Sequence, residues 1–238
     1  MNIALIGYGK MGRTIEEIAL SRGHRIVLKT NIDNLGDNTA ENIQKADVAI
    51  EFTGPDSAYD NIMLCLKAGV PLVSGSTGWL DKYEEVKQYC QREGKTFLYA
   101  SNFSVGVNIF FEVNKRLASL MAPHPEYDVR ITEIHHTEKK DAPSGTAISL
   151  AEQVLGNVSR KKSWVNHVSD DVAELTIESQ RIDPAPGTHM VKYESAIDDI
   201  EIVHTAHNRK GFATGAVLAA EYIRDKKGIF QMKDVLGF

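Results

Sequence analysis

Residues 2–19 read NIALIGYGKMGRTIEEIA, and the way this stretch divides decides the fold. Asn2–Ile6 is short and almost wholly apolar, which suits a central parallel strand buried on both faces. The turn Gly7-Tyr8-Gly9-Lys10-Met11-Gly12 follows, and Ile15, Ile18 and Ala19 then recur at helical spacing. Strand, glycine turn and helix in this order make a dinucleotide fingerprint: Gly7 turns the chain, Gly9 lets a pyrophosphate approach the backbone, and Gly12 lets helix and strand pack closely. Tyr8, Lys10 and Met11 complete the candidate cofactor loop. A bare GxGxxG is weak, since the same glycines would serve packing alone. Asp33 strengthens it, lying 21 residues after Gly12 and beyond a second strand at Ile26-Val27-Leu28, where an acid binds the adenosine ribose hydroxyls. No arginine stands beside Asp33, which favours NADH over NADPH, although Lys10, Arg13 and Lys29 are cations within possible reach of a 2′-phosphate.

The alternation continues outward. Strands are predicted at Val48–Phe52, Pro71–Ser74 and Thr96–Ala100, separated by helices over Asp56–Ala68 and Asp81–Glu93. These repeats predict an α/β, Rossmann-type doubly wound parallel sheet. Its ligands gather beyond the carboxyl ends of the strands.

Composition narrows the function class. The chain has 238 residues, 42% hydrophobic and 25% charged, with a net charge of −5. That balance offers no general attraction to nucleic acid or an anionic membrane, so an anionic ligand must be held locally. Cys65 and Cys90 form neither a CxxC motif nor a metal cluster, and are expected to be reduced structural thiols; no metal site is expected. With no signal-peptide pattern and no apolar run near the roughly 20 residues that span a bilayer, a cytoplasmic protein without membrane partners is expected.

From Val107 the pattern changes. A long helix to Met121 precedes a strand from Tyr127 to His136, a helix beginning near Pro143, and strands near Asp171–Ile182, His189–Ser195 and Ile200–Ala206. Clustered strands predict an α+β domain with an open mixed sheet, followed by a final helix over Gly211–Arg224. The change of pattern divides the chain into a dinucleotide-binding domain over 1–103 and a second, substrate-binding domain over 104–209. The crossings near Phe103 and Arg209 would act as hinges that close the site against water.

Within this half, Glu133–Ala147 reads EIHHTEKKDAPSGTA. Adjacent strand residues face opposite ways, so His135 and His136 are expected to have different tasks. Ser144 and Thr146 stand at a helix start, whose free N–H groups bind anions, and a carboxylate is the natural ligand. Lys139, on the connection, is placed to supply positive charge or a proton to a bound dianion. Taken singly, a surface His pair, a solvated Lys pair and a Ser/Thr cap would each be ordinary.

Taken together, these residues resemble the signature of the 4-hydroxy-tetrahydrodipicolinate reductases, also called dihydrodipicolinate reductases, of lysine and diaminopimelate biosynthesis. The resemblance extends over nearly the whole chain through Gly7–Arg13, Glu51-Phe52-Thr53, Gly75–Gly78, Asn102–Asn108 and Phe212–Ala216. It implies reduction of a small cyclic dicarboxylate with NADH or NADPH, with loss of water. It further implies His135 as the acid/base residue and Lys139 as proton donor, with His136, Gly145 and Thr146 on the substrate carboxylates and Ser144 as an additional donor. Gly75, Ser76 and Thr77, and Ala100, Ser101, Asn102 and Phe103, would line the nicotinamide half of the cofactor; 210–238 would return to complete the dinucleotide-binding domain, and 104–209 would serve oligomerisation as well as substrate binding, with a homotetramer formed through its sheet. One departure stands in the loop Arg181–His189: family members commonly carry paired glycines after the arginine, where this chain has Ile182 and Asp183. His189 is for that reason not counted among the site residues. The glycine loop is also one residue shorter than in some relatives.

Two other readings share parts of this pattern. The cofactor half alone fits another two-domain amino-acid dehydrogenase, or a sensor that binds NADH without turnover. The His-His-Lys-Pro-Ser-Gly-Thr segment discriminates against both.

Overall fold

In the computed structural model, which describes residues 1–238, the apolar run Asn2–Ile6 forms strand β1, an interior strand of a six-stranded sheet. The chain then runs through helix α1 (Lys10–Ser21), β2 (Arg25–Thr30), the short helix α2 (Ala40–Ile43), β3 (Val48–Glu51), α3 (Pro55–Lys67), β4 (Leu72–Ser74), α4 (Tyr83–Glu93) and β5 (Thr96–Tyr99). It continues with α5 (Val105–Met121), β6 (Asp128–His135), α6 (Gly145–Leu155), β7 (Ser163–Val165), β8 (Glu174–Arg181), β9 (Thr188–Glu194), β10 (Asp199–Thr205), α7 (Lys210–Ile223), β11 (Gly228–Phe230) and α8 (Met232–Leu236).

Two compact units result, one from Met1–Val105 with Arg209–Phe238 and the other from Gly106–Asn208. In the first, the strands lie in the order β11-β5-β4-β3-β1-β2 and every pairing is parallel. Alternation along β1 shows why it is apolar throughout: Ile3 and Leu5 pack with Ile15 and Ala19 of α1 and with Ala216, Val217 and Ala220 of α7. Ala4 and Ile6 face the other layer, with Ile62 and Leu66 of α3 and Val86 of α4. Both faces of the sheet are covered, as a doubly wound fold requires. The order reverses between β2 and β3 on either side of β1, so the glycine turn lies at the switch point.

The second unit holds a five-stranded mixed sheet in the order β10-β9-β6-β8-β7, with β6, β8 and β7 parallel and β9 and β10 antiparallel. Val129 and Ile131 of β6, Leu175 and Ile177 of β8, and Val191 and Tyr193 of β9 form its core with α5 and α6. The open mixed sheet expected from clustered strands is present.

Several elements differ from the sequence reading. The second strand is longer than Ile26–Leu28. The helix expected from Asp81 opens as a 3-10 turn at Leu80–Lys82 and becomes α-helical only at Tyr83, ending at Gly94 with φ +60°. Helices α2 and α8 and the edge strands β7 and β11 were not foreseen, the strands being only three residues each. No helix is long and apolar enough to cross a membrane.

Candidate active site

Register brings the second unit's chemistry together. On β6, Glu133 and His135 project to the same side as Val129 and Ile131, and all four are buried. Glu133 stands opposite His189 of β9 and Ser179 of β8, while His135 stands opposite Arg181. One Glu133 oxygen, Oε1, accepts bonds from Arg181 Nη2 at 3.1 Å and the Ser144 backbone N–H at 3.2 Å. The other, Oε2, lies 2.6 Å from His135 Nδ1. Although burial alone would raise its pKa, the bonds from His135, Ser144, Ser179 and Arg181 hold the Glu133 carboxyl well below the usual carboxylate range.

His189, outside the sequence-derived site, belongs to this cluster. Its ring meets that of His135 edge-on at 5.1 Å, and its Nε2 lies 3.1 Å from Ser144 Oγ. Burial, reinforced by the charge of His135, pushes its pKa down to about 4, so it is neutral at pH 7. The strand alternation of Thr188–Glu194 could have marked it as inward-facing. Glu133, His135 and His189 also hold ligand atoms within 4.8 Å of one another, a spacing that raises the question of a metal. The Arg181 guanidinium already neutralises the only anionic member, and a divalent cation there would face that positive charge at close range. The group is better described as a hydrogen-bonded network.

Ser144 differs from its expected use. It is 2% exposed, and its hydroxyl caps α6 by accepting the Ala147 N–H at 3.2 Å while bonding His189. An inward hydroxyl so engaged is not an open donor. The exposed face of the α6 start is formed by Gly145, with half-buried Thr146 next to it. Lys139 is held against Asp141, with Nζ 2.8 Å from both carboxylate oxygens, and this bond keeps the Asp141 carboxyl below its usual range. Arg181 ties that connection down through the carbonyls of Lys139 and Asp141 at 3.3 and 2.6 Å. His136 is half-buried while His135 is 8% exposed, in keeping with opposite faces of the strand end.

The Arg181–His189 loop is ordered without the paired glycines. Neither Ile182 nor Asp183 has positive φ. Asp183 accepts bonds from the Thr137 N–H at 3.0 Å and its hydroxyl at 2.7 Å, and the Ile182 N–H bonds the His135 carbonyl at 2.7 Å. Gly187 carries the demand instead, with φ +153° and a position where a Cβ would lie 3.0 Å from His135 Nε2.

In the first unit the candidate cofactor residues follow the carboxyl ends of β1, β2, β4 and β5. The N–H groups of Gly7 and Tyr8 both donate to Thr30 O at the end of β2, at 3.0 and 2.7 Å. Gly7 has φ +98°, and a Cβ there would lie 2.0 Å from the Phe52 carbonyl oxygen. Gly9 caps α1 without a side-chain bond, and open space surrounds its missing Cβ. A pyrophosphate fits this exposed helix start. Lys10 is the exposed first residue of α1, and Met11 packs against the core. Asp33 is exposed on the turn after β2, a turn pinned by Asn34, whose amide donates to Lys29 O and Asp37. Lys29 of β2 is 3.2 Å from Glu16 and lies over the Tyr8 ring at 4.8 Å.

After β4 and β5, Thr77 and Ser101 are exposed, whereas Phe103 is buried and Gly75, Ala100 and Asn102 are intermediate. Ser76, like Ser144, faces inward: its hydroxyl donates to the buried Glu51 carboxylate at 2.6 Å and accepts the Thr53 N–H at 2.7 Å. It shapes the loop from beneath.

A doubly wound parallel sheet with a glycine turn at its switch point, joined to a mixed-sheet unit carrying a histidine–carboxylate–arginine network, defines a nicotinamide-nucleotide-dependent oxidoreductase. Residues 1–103 match the family described as "Dihydrodipicolinate reductase, N-terminus" and residues 106–236 its "C-terminus" counterpart. This chain belongs to the dihydrodipicolinate reductase family. It is 53% identical over 236 residues to a 4-hydroxy-tetrahydrodipicolinate reductase of Christiangramia forsetii, covering 99% of this chain and 98% of that one. A protein of the same description from Methanosarcina barkeri is 34% identical, with 100% and 99% covered. The dipicolinate-bound dihydrodipicolinate reductase of Paenisporosarcina sp. TG-14 shares the fold, with a TM-score of 0.78 at 23% identity over 97% of each chain.

Proposed function

We propose that the chain reduces 4-hydroxy-tetrahydrodipicolinate to tetrahydrodipicolinate, with loss of water, in lysine and diaminopimelate biosynthesis. Family membership over both units supports the reaction. The observation that carries it to particular residues is the segment Glu133–Ala147, which sets a buried histidine, a lysine and an open helix start on one strand-to-helix connection.

Bound nicotinamide supplies the hydride, and the glycine loop, Asp33, Gly75–Thr77 and Ala100–Phe103 position it. His135 exchanges the proton that accompanies reduction, and Lys139 donates to the dianionic substrate once a substrate carboxylate replaces Asp141 as its partner. His136 and the backbone N–H groups at Gly145 and Thr146 orient the carboxylates. NADH is favoured, because Asp33 is free to take ribose hydroxyls while Lys29 is countered by Glu16.

The second unit is also the assembly unit of a cytoplasmic homotetramer. Thr132, Ile134, Thr188, Met190 and Val203 lie on the sheet face opposite the packed core, and neither α5 nor α6 covers it. The deciding experiment supplies freshly generated cyclic substrate with NADH or NADPH and follows loss of nicotinamide absorbance. Oxidation with NADH at least as fast as with NADPH is expected. Binding without oxidation would favour the sensor reading, and oxidation supported only by an open-chain amino acid would favour an amino-acid dehydrogenase.

A further inference from the structure

The Glu133 carboxylate occupies a place that the reaction scheme leaves unexplained. It is fully buried on the strand face that begins with Val129 and Ile131, where an unpaired carboxylate would be strongly unfavourable. Its two oxygens divide their partners: Oε1 takes both the Arg181 guanidinium and the Ser144 N–H, while Oε2 lies 2.6 Å from His135 Nδ1, two buried atoms with no hydrogen bond to any other group; Ser179, also beside the carboxylate, gives its hydroxyl proton to Asn166. On the far side of the same imidazole, Nε2 faces Gly187, the residue whose missing side chain leaves that nitrogen unobstructed.

We propose that Glu133 is a positioning residue that holds neutral His135 in the Nδ1–H tautomer and so makes Nε2 the nitrogen that exchanges a proton with substrate. Arg181 and the Ser144 N–H fix the carboxylate from behind. A ring hydrogen bond to a carboxylate determines which nitrogen carries the proton, and imidazole free in water prefers the other tautomer. The inference rests on His135 being the acid/base residue, but its first test does not.

The outcome of Glu133→Gln follows from counting donors. Two N–H donors converge at the Oε1 position and one at Oε2, so the amide oxygen stays with Arg181 and Ser144 and the NH₂ group turns towards His135. An NH₂ group facing Nδ1 requires Nδ1 to accept, which moves the imidazole proton to Nε2 and leaves the working nitrogen in the wrong state. Loss of turnover of roughly 10²–10⁴-fold is expected, the scale associated with an acid/base group or a wrong tautomer. KM for the cyclic substrate and NADH affinity should stay within about two-fold, as the groups proposed to hold the carboxylates, His136, Gly145 and Thr146, are untouched.

The experiment is ¹⁵N-histidine NMR of the full-length enzyme at a pH where His135 is neutral, with its ring signals assigned by their disappearance in His135→Gln. Wild type should show a protonated Nδ1 and an unprotonated Nε2, and Glu133→Gln the reverse. An Nε2–H tautomer in wild type overturns the proposal, whether or not the variant folds. So does a folded Glu133→Gln enzyme with wild-type turnover and tautomer. Full activity in His135→Gln would remove the acid/base assignment itself, while the tautomer measurement would still decide what Glu133 does.

Discussion

At the scale of single residues, the proposed mechanism separates groups that would face substrate from groups that hold them. His135→Ala and Lys139→Ala should each lower turnover by roughly 10²–10⁴-fold and leave NADH affinity, measured by fluorescence titration, almost unchanged. Near-normal turnover in either would strip that residue of its role. Pyridine-2,6-dicarboxylate should compete with substrate, since it offers the same paired carboxylates without accepting hydride in the same way. Thr146→Val removes one hydroxyl at little change in size, so analogue and substrate should both weaken by roughly 1–3 kcal/mol if that hydroxyl meets a charged oxygen. Competition against NADH alone would move the carboxylate site elsewhere. His189 has a different signature. In the unfolded chain it binds a proton near the ordinary value of 6.5, and in the folded protein only near 4, so the folded state holds fewer protons between these values. Its contribution to stability is complete above about pH 6.5 and lost as pH falls towards 4, on the order of 3 kcal/mol in all. Melting temperature should therefore drop through this window in wild type and less steeply in His189→Gln, and equal slopes would show that other groups dominate.

At the scale of elements, the carboxyl ends of β3 and β4 are joined by one buried acid. Glu51 accepts the Thr53 N–H at 2.9 Å and hydroxyls of Thr53, Ser74 and Ser76 at 2.5, 2.6 and 2.6 Å. Glu51→Ala would strand these donors, so chemical denaturation should show a loss of roughly 3 kcal/mol or more, together with weaker dinucleotide binding as Gly75–Thr77 loses its support. A variant within 1 kcal/mol of wild type would mean that water replaces the carboxylate without penalty. The central strands were legible because burial on both faces leaves a continuous apolar run, and the glycine turn because its spacing meets a steric demand at Gly7. Three-residue strands such as β7 and β11 carry no such period; only pairing with a neighbour makes them strands. Ser76 and Ser144 show a related limit, for composition marks a hydroxyl as a donor while burial decides which way it donates.

Across the whole molecule, local sequence stops short wherever distant segments meet. His135, Lys139 and the α6 start lie on one continuous segment and could be read there. Glu133, Arg181 and His189 become a network only through the register of three strands, with His189 more than 50 residues from Glu133 in sequence and directly opposite it in the sheet. The proposed assembly concerns the same sheet. Val203, Met190 and Thr132 form one cross-strand row, and Thr188 and Ile134 a neighbouring one, on the face away from the unit's core. At the sheet edge, Val203 of β10 is 50% exposed and Ile200, on the other face, 38%. An edge strand left open invites pairing with another chain, and a closed symmetric assembly uses that tendency without growing into a filament. Light scattering should give a mass four times the 26.4 kDa of one chain. Val203→Glu places a charge in the middle of the row, and should shift the mass towards dimer or monomer while NADH still binds the first unit. A wild type that is monomeric at micromolar concentration would leave the sheet face without its partner and end the tetramer reading.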